Sequence, residues 1–223
     1  MITVYTSLIL SIIIQIVSGI IEFVSLFAKL PLKYAFLKQM MLLEVVVQVI
    51  ESSFYIYWFK NFKKVANVTP TRYFDWVITT PTMLVNLIFY LIFLHSLDTN
   101  TSDTLQFVEL FKQESTTILP ILLLNWTMLL FGYLGEISVL PVIVGVVLGF
   151  IPFLMYYYTI YHTYVLNETG FKIFMYFFIF WMLYGCVAIL PYKLKNICYN
   201  ILDLFSKNFF GIFLSYLIFN NMS

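Results

Sequence analysis

The stretch ILDLFSKNFF, Ile201 to Phe210, sits inside an apolar run that extends over residues 197–219, and it carries two charges near its middle, Asp203 and Lys207. A helix of about 20 apolar residues crosses the roughly 30 Å hydrocarbon core of a bilayer, so the run is long enough to span one. Lys207 lies too deep to snorkel to the headgroups, and Asp203 stands at i−4 on the same helical face. Asn196 and Asn200 continue that stripe. A charge inside a span costs several kcal/mol unless it pairs or faces a cavity, which makes this pair a functional feature by default.

Six more runs of similar length lie upstream. The spans are expected at about residues 4–27, 37–58, 73–94, 116–135, 138–161, 171–190 and 197–219. The chain of 223 residues is 62% hydrophobic, 20% aromatic and only 10% charged, with a mean hydropathy of +0.94. A soluble domain carries roughly 25% charged residues, so this one could not cover a globular surface. The expected fold class is all-α: one seven-transmembrane-helix bundle occupying residues 1–223 as a single domain. The first run lacks a basic n-region and a small-residue cleavage pattern, so it is read as a retained span rather than a signal peptide.

A formal net charge of +1 without a basic tract excludes a nucleic-acid partner. Cys186 and Cys198 show no CxxC spacing and read as small core hydrophobes, not as a disulfide or metal site. Connections are expected to be short: a Pro-centred turn over Lys29–Lys38, a basic loop over Lys60–Thr71 and a turn over Leu190–Asn196. The exception is an acidic, Ser/Thr-rich excursion over His95–Ser115. Ten loop lysines divide five against five between the two sides, so the positive-inside rule does not orient the chain.

The third run opens on Arg72-Tyr73-Phe74-Asp75-Trp76-Val77-Ile78-Thr79-Thr80-Pro81. Asp75, Thr79, Thr82 and Asn86 follow at helical spacing and are expected to share one face. A buried carboxylate beside an arginine, facing a buried lysine on another helix, makes a cluster whose formal charges nearly cancel. These two motifs, in the third and seventh spans, resemble the microbial (type 1) rhodopsin family, with further matches at Met128, Gly132, Trp181 and Tyr184. Within it the chain looks most like the rhodopsins of large algal-infecting viruses.

The resemblance implies an outside N-terminus and all-trans retinal bound covalently to Lys207 as a Schiff base, isomerised by light to 13-cis. It implies Asp75 and Asp203 as counterions, the first being the proton acceptor, with Arg72 holding both ionised and Thr79 hydrogen-bonded to Asp75. Trp76, Trp181 and Tyr184 would form the aromatic walls, and Thr80, Met83, Met128, Gly132, Gly149 and Phe153 further lining. Met83 resembles the apolar residue of green-absorbing members.

What the light drives must be read from the remaining polar residues. The first span carries Ser11, Gln15, Ser18 and Glu22 at helical spacing. The second carries Glu44, Gln48, Glu51 and Tyr55, with the two glutamates about 10 Å apart along the axis. The seventh adds Asn208 to its stripe. Such faces are costly against lipid and must meet one another or a second protomer. The favoured expectation is a light-gated cation channel between the first, second and seventh helices, with Glu44 and Glu51 as constrictions and Ser11, Gln48 and Asn208 along the path. Ser11, Asn208 and the two glutamates resemble those of the viral channelrhodopsins.

A light-driven outward proton pump is the alternative. Against it, Asn86 stands where pumps of the family carry a carboxylic acid, and Lys193 and Lys195 stand where some carry proton-releasing carboxylates; Glu44 could serve as a substitute donor. Gly185 and Ala188 replace the family's usual proline and aromatic next to the pocket. A photosensor would need a transmitter surface or coupled domain, which these residues do not supply, and a non-photoactive transporter would show no visible band with retinal. No enzymatic activity is expected. Expected partners are the lipid bilayer, monovalent cations or protons and further copies of the chain, in the plasma membrane or another host-cell membrane.

Overall fold

The structure is a computed structural model that describes residues 3–62 and 67–222. Among these, seven helical segments are long and apolar enough to cross a bilayer. They are α1 (Val4–Ser25), α2 (Ala35–Asn61), α3 (Thr69–Asp98), α4 (Phe107–Glu136), α5 (Val142–Tyr164), α6 (Glu168–Ala188) and a seventh span over Tyr192–Asn220. The seventh consists of α7 (Tyr192–Asp203), a π-helical turn over Leu204–Asn208 and α8 (Phe209–Asn220). The described residues contain no strand, and the expected all-α seven-helix bundle is the fold observed.

Amphipathicity is inverted relative to a soluble helix. The buried face of α1 carries Ser7, Ser11, Gln15, Ser18, Glu22 and Ser25, while Ile13, Ile16, Val17 and Ile20 point outward, each more than 50% exposed. In a bilayer the solvent is hydrocarbon, so polar side chains gain by turning inward and apolar ones lose nothing by turning out. Its N-terminus closes with a capping box in which the Thr3 hydroxyl accepts from the Thr6 amide and the Thr6 hydroxyl accepts from the Thr3 amide.

Several helices run further than their apolar cores. The long excursion expected over His95–Ser115 is instead mostly helix, because α3 continues to Asp98 and α4 begins at Phe107. The α4 extension is held by the amide of Phe107 donating to Gln39 Oε1 of α2 (2.7 Å), by Phe107 packing on Phe89 and by a Glu109–Lys112 ion pair at i,i+3. Likewise α7 starts directly after Pro191, so Lys193 and Lys195 occupy its first turns rather than a loop. Lys63 and Lys64, in the middle of the expected basic loop, lie outside the described residues. Cys186 is exposed on the bundle's exterior and Cys198 is half-buried, so neither is a core residue; α6 turns that part of its surface toward the membrane.

Helices α4 and α5 approach closely through Gly135 and Gly145. A methyl group on Gly145 would stand 2.7 Å from the carbonyl oxygen of Phe131 and 3.2 Å from Cα of Gly135, both rigid backbone. Small residues that let backbones meet are a main source of helix association in membranes, where dispersion contacts replace the hydrophobic effect. Gly145→Ala should therefore destabilise the bundle by about 1–3 kcal/mol, read as a lower unfolding temperature of the detergent-solubilised apoprotein. An unchanged temperature would mean that the two helices can separate freely.

Candidate functional site: a caged lysine beside an aromatic cavity

Lys207 stands in the π-turn, buried to within 3% of full enclosure. Single π-turns inside helices offset the residues that follow and recur at functional sites. The hydroxyl of Tyr176 in α6 donates to the Phe205 carbonyl within the turn (2.5 Å), tying it to the neighbouring helix. Lys207 Nζ donates to Asp75 Oδ2 at 2.8 Å, and it lies 3.6 Å from Glu51 Oε1 and 3.8 Å from Asp203 Oδ1. The amine is thus surrounded by three carboxyl groups from α2, α3 and the seventh span.

The second cation of the cluster is Arg72, also fully buried. Its Nη1 donates to Asp203 Oδ2 (3.2 Å) and to the Tyr55 hydroxyl (3.3 Å), its Nε to Asn196 Oδ1 (3.1 Å) and its Nη2 to Asn200 Oδ1. The guanidinium makes cation–π contacts with the ring of Trp58 at 4.7 Å and with those of Tyr55 and Tyr199 at 5.7 and 5.8 Å. Asp203 is held in turn by the hydroxyls of Tyr55 (2.6 Å) and Tyr184 (2.7 Å). Such complete satisfaction is what allows an ion pair to persist without water around it. Glu51 differs, since neither of its carboxyl oxygens has a hydrogen-bond partner among the described residues.

Two details depart from expectation. Thr79 does not reach the Asp75 carboxylate; its hydroxyl donates to the Asp75 backbone carbonyl at 3.0 Å, the usual i−4 bond of a helical threonine, and Asp75 Oδ1 is left unpartnered. Thr82 is only half-buried, with its hydroxyl turned to the Ile78 carbonyl, so it leaves the inner face that Asp75, Thr79 and Asn86 share.

Beside the cluster, a cavity of about 760 Å³, its mouth included, lies among α3, α4, α5, α6 and the seventh span. Its wall contains Trp76, Thr80, Met83, Met128, Gly132, Gly149, Phe153, Trp181, Tyr184 and Lys207, all singled out in the sequence. It also contains Tyr73, noted in the sequence only as part of the third-span motif, and Phe150, Tyr199 and Ser206, which were not singled out. Lys207 supplies the single charged group of this wall. Gly132 makes room for the Tyr73 hydroxyl, and Gly185, where the resemblance expects proline, makes room for the Phe150 ring, so an aromatic from α5 fills the space above that position. Asn125 of α4 donates to Thr80 Oγ1 at 2.8 Å behind the wall.

On the other side of the cluster a polar seam follows the α1, α2 and seventh-span interface. Asn200 Nδ2 donates to Ser7 Oγ (2.8 Å), and Ser11 Oγ donates to the Asn200 carbonyl (3.1 Å). Asn208 Nδ2 donates to both Gln48 Oε1 (2.7 Å) and Ser18 Oγ (2.9 Å), while Gln48 Nε2 donates to the Gln15 carbonyl (2.7 Å). Further along, Asn86 Nδ2 donates to Glu44 Oε1 (2.7 Å). Glu44 and Glu51 therefore occupy different settings: one is bonded to an amide in the seam, the other is beside the lysine. The i,i+7 spacing on α2 separates them along the axis, but only the packing of α2 against the seventh span reveals which stands at Lys207. The sequence reading also missed the partnership of Lys195 with Glu136 (2.8 Å), a part-buried ion pair tying α7 to the end of α4.

Over residues 3–221 the chain matches the family described as bacteriorhodopsin-like protein. Among solved structures it is similar to the viral rhodopsin OLPVRII, with 28% identity, a TM-score of 0.84 and 99% of each chain covered. It also resembles, in fold, a blue light-absorbing proteorhodopsin from Med12, at 21% identity over 97% of each chain with a TM-score of 0.76. A third likeness in fold is the proton pumping rhodopsin AR2 from the marine alga Acetabularia acetabulum, at 19% identity over 97% of this chain and 96% of that one, with a TM-score of 0.70. No curated protein matches the chain. With a family match running through nearly its whole length, the chain belongs to the bacteriorhodopsin-like family and is an integral, multi-pass membrane protein.

Proposed function

We propose that this protein is a retinal-binding photoreceptor whose light response opens a cation-conducting seam between α1, α2 and the seventh span. The residues present fit the chromophore that its family implies: a mainly aliphatic and aromatic wall includes one lysine amine, and that amine has an anion at 2.8 Å. Retinal, bound in all-trans form through Lys207 Nζ as a Schiff base, supplies visible absorption and light-driven isomerisation to 13-cis. The chain's own residues do the rest. Asp75 serves as primary counterion and proton acceptor, and Asp203 as second counterion, fixed by Arg72, Tyr55 and Tyr184. Trp76 and Trp181 confine the cavity, and Thr79 fixes the backbone of Asp75 rather than its carboxylate. The family resemblance supports an N-terminus outside the cell and assembly as a homo-oligomer.

The observation that carries the channel reading is the continuous buried stripe of polar side chains along α1, α2 and the seventh span, in a chain whose other surfaces are overwhelmingly apolar. Hydrogen bonds across it keep the resting path closed, and carboxyl groups at Glu51 and Glu44 would select for cations. Asn208 follows Lys207 directly and bonds to both α1 and α2, so a displacement of the lysine acts on the seam. Proton pumping is the second reading, favoured by the bond between Glu44 and Asn86, which sets a carboxyl group against the third helix on the far side of the lysine from Arg72.

With retinal supplied, the purified protein should absorb in the visible and Lys207→Ala should not; colour persisting in that variant would sink the lysine assignment. Asp75→Asn should move the band to longer wavelength, because the cation at Lys207 loses its nearest anion, and Glu51→Gln should move it less, its oxygen being farther away. Spectra of both variants at neutral pH check the order. Under voltage clamp, light-induced current should change sign when the cation gradient is reversed. A current of fixed direction under every gradient would identify a pump.

A further inference from the structure

Glu22 has no part in the cluster around Lys207 and is not among the residues assigned to the path, yet it is one of the most enclosed carboxyl groups in the protein, at 1% exposure. It lies on α1 one turn beyond Ser18, toward the C-terminal end of the polar stripe. Its carboxyl group rests on the backbone of Gly211 in α8, in the space that a side chain at that position would fill: a β-carbon on Gly211 would collide with both Oε1 and Cδ of Glu22. Glu22 thus packs from α1 against the seventh span, two of the three elements that bound the seam.

The surroundings of this contact are polar on the same helical faces. Ser215 follows Gly211 by one turn on α8, is 1% exposed and has a hydroxyl without a hydrogen-bond partner among the described residues. Asn208 Oδ1, one turn before Gly211, and Gln15 Nε2, two turns before Glu22 on α1, are also buried and unpartnered. Buried polar atoms of this kind are ordinarily satisfied by water. Beyond Glu44 on α2 and Gly211 on α8 most buried side chains are apolar, with Leu37, Met40, Met41, Leu214 and Ile218 each no more than 1% exposed, while Ser25 and Ser215 remain as buried hydroxyls. The contact between Glu22 and Gly211 therefore sits at the edge of this mainly apolar layer.

We propose that Glu22 is a third carboxyl group of the ion path, a specificity-determining residue whose contact with Gly211 forms its inner constriction. The inference rests on the channel reading given above. Light-driven movement of α8, which carries Gly211 directly after the π-turn that holds Lys207, would lift the backbone from the Glu22 carboxyl and let a hydrated cation pass it. Glu22→Gln removes the ionisable carboxyl group and keeps the volume. Gly211→Ala displaces the flexible end of the glutamate and leaves its carboxyl group.

The test uses the full chain with retinal in voltage-clamped cells, with sodium outside replaced by a large organic cation, together with light-minus-dark infrared spectra of the purified protein. In both variants the visible band should match the wild type, which establishes folding and an intact lysine cluster. Glu22→Gln should lower sodium permeability relative to protons on the order of tenfold, read from the reversal potential, and should delete a carboxyl C=O difference band. Gly211→Ala should slow closing or leave current in the dark while retaining that band. A visible band, reversal potential and infrared difference spectrum all unchanged in Glu22→Gln would overturn the proposal while the channel reading stands. A wild-type current that does not reverse would overturn the channel reading first, and this assignment with it.

Discussion

An ammonium group in the middle of a membrane is tolerable only where anions come to it, and the placement of Lys207 constrains the bundle accordingly. Its three carboxyl neighbours belong to three different elements: Glu51 to α2, Asp75 to α3 and Asp203 to α7. Arg72 and Tyr55 then close the cluster on the other side of Asp203. Sliding any of these helices by one turn would leave a buried charge without its partner, at a cost of about 3–5 kcal/mol. Slippage against lipid costs far less, since hydrocarbon outside and hydrocarbon inside are nearly equivalent. The registers of α2, α3 and the seventh span are thus set by polar contacts.

The same reasoning divides the molecule in two. On the side of α1 and α2, buried serines, amides and carboxyl groups join the helices through side-chain hydrogen bonds. On the side of α4, α5 and α6 there is little polarity to share, and packing relies on glycines and interlocking rings such as Phe153, Tyr157 and Phe178. The cavity lies at the boundary, with Lys207 at once on its wall and in the polar cluster. A group bound there would touch soft aromatic walls on one side and a network of directional bonds on the other. Strain from it would act on the network, because hydrogen bonds have a narrow geometric range and aromatic packing has a broader one.

Helical periodicity made much of this readable in advance. Asp203 and Lys207 at i,i+4 require no knowledge of other helices, whereas the aromatic wall was legible only through the family resemblance that the third- and seventh-span motifs carry. What escaped depended on registers between helices. Nothing in the order of residues distinguishes Glu51 from Glu44 as the neighbour of Lys207, or pairs Lys195 with Glu136 across 59 positions. The arginine cage, built by Tyr55, Asn196 and Asn200 from two helices, is likewise a product of packing. The extensions of α3 and α4 were hidden because polar helical turns look like loop by composition; that of α4 is held by Gln39 and Phe89 on other helices.

The π-turn resolves a geometric conflict within the seventh span. At about 100° per residue, a continuous α-helix through Asp203 would carry Gly211 about 80° and Ser215 about 120° away from the face on which Asp203 lies. Asn196, Asn200 and Asp203 point inward, and so do Gly211 and Ser215, all buried. One additional residue in the turn over Leu204–Asn208 removes about 100° of this drift, returning Gly211 and Ser215 to within about 20° of the stripe. The widened turn lets Lys207 and Asn208 both remain inside, one in the carboxylate cluster and one bonded to Ser18 and Gln48. An ideal helix would present one of these adjacent residues inward and turn the other about 100° aside. The seventh span can therefore serve the cavity, the charge cluster and the seam together because its hydrogen-bonding pattern changes at the residue where all three meet.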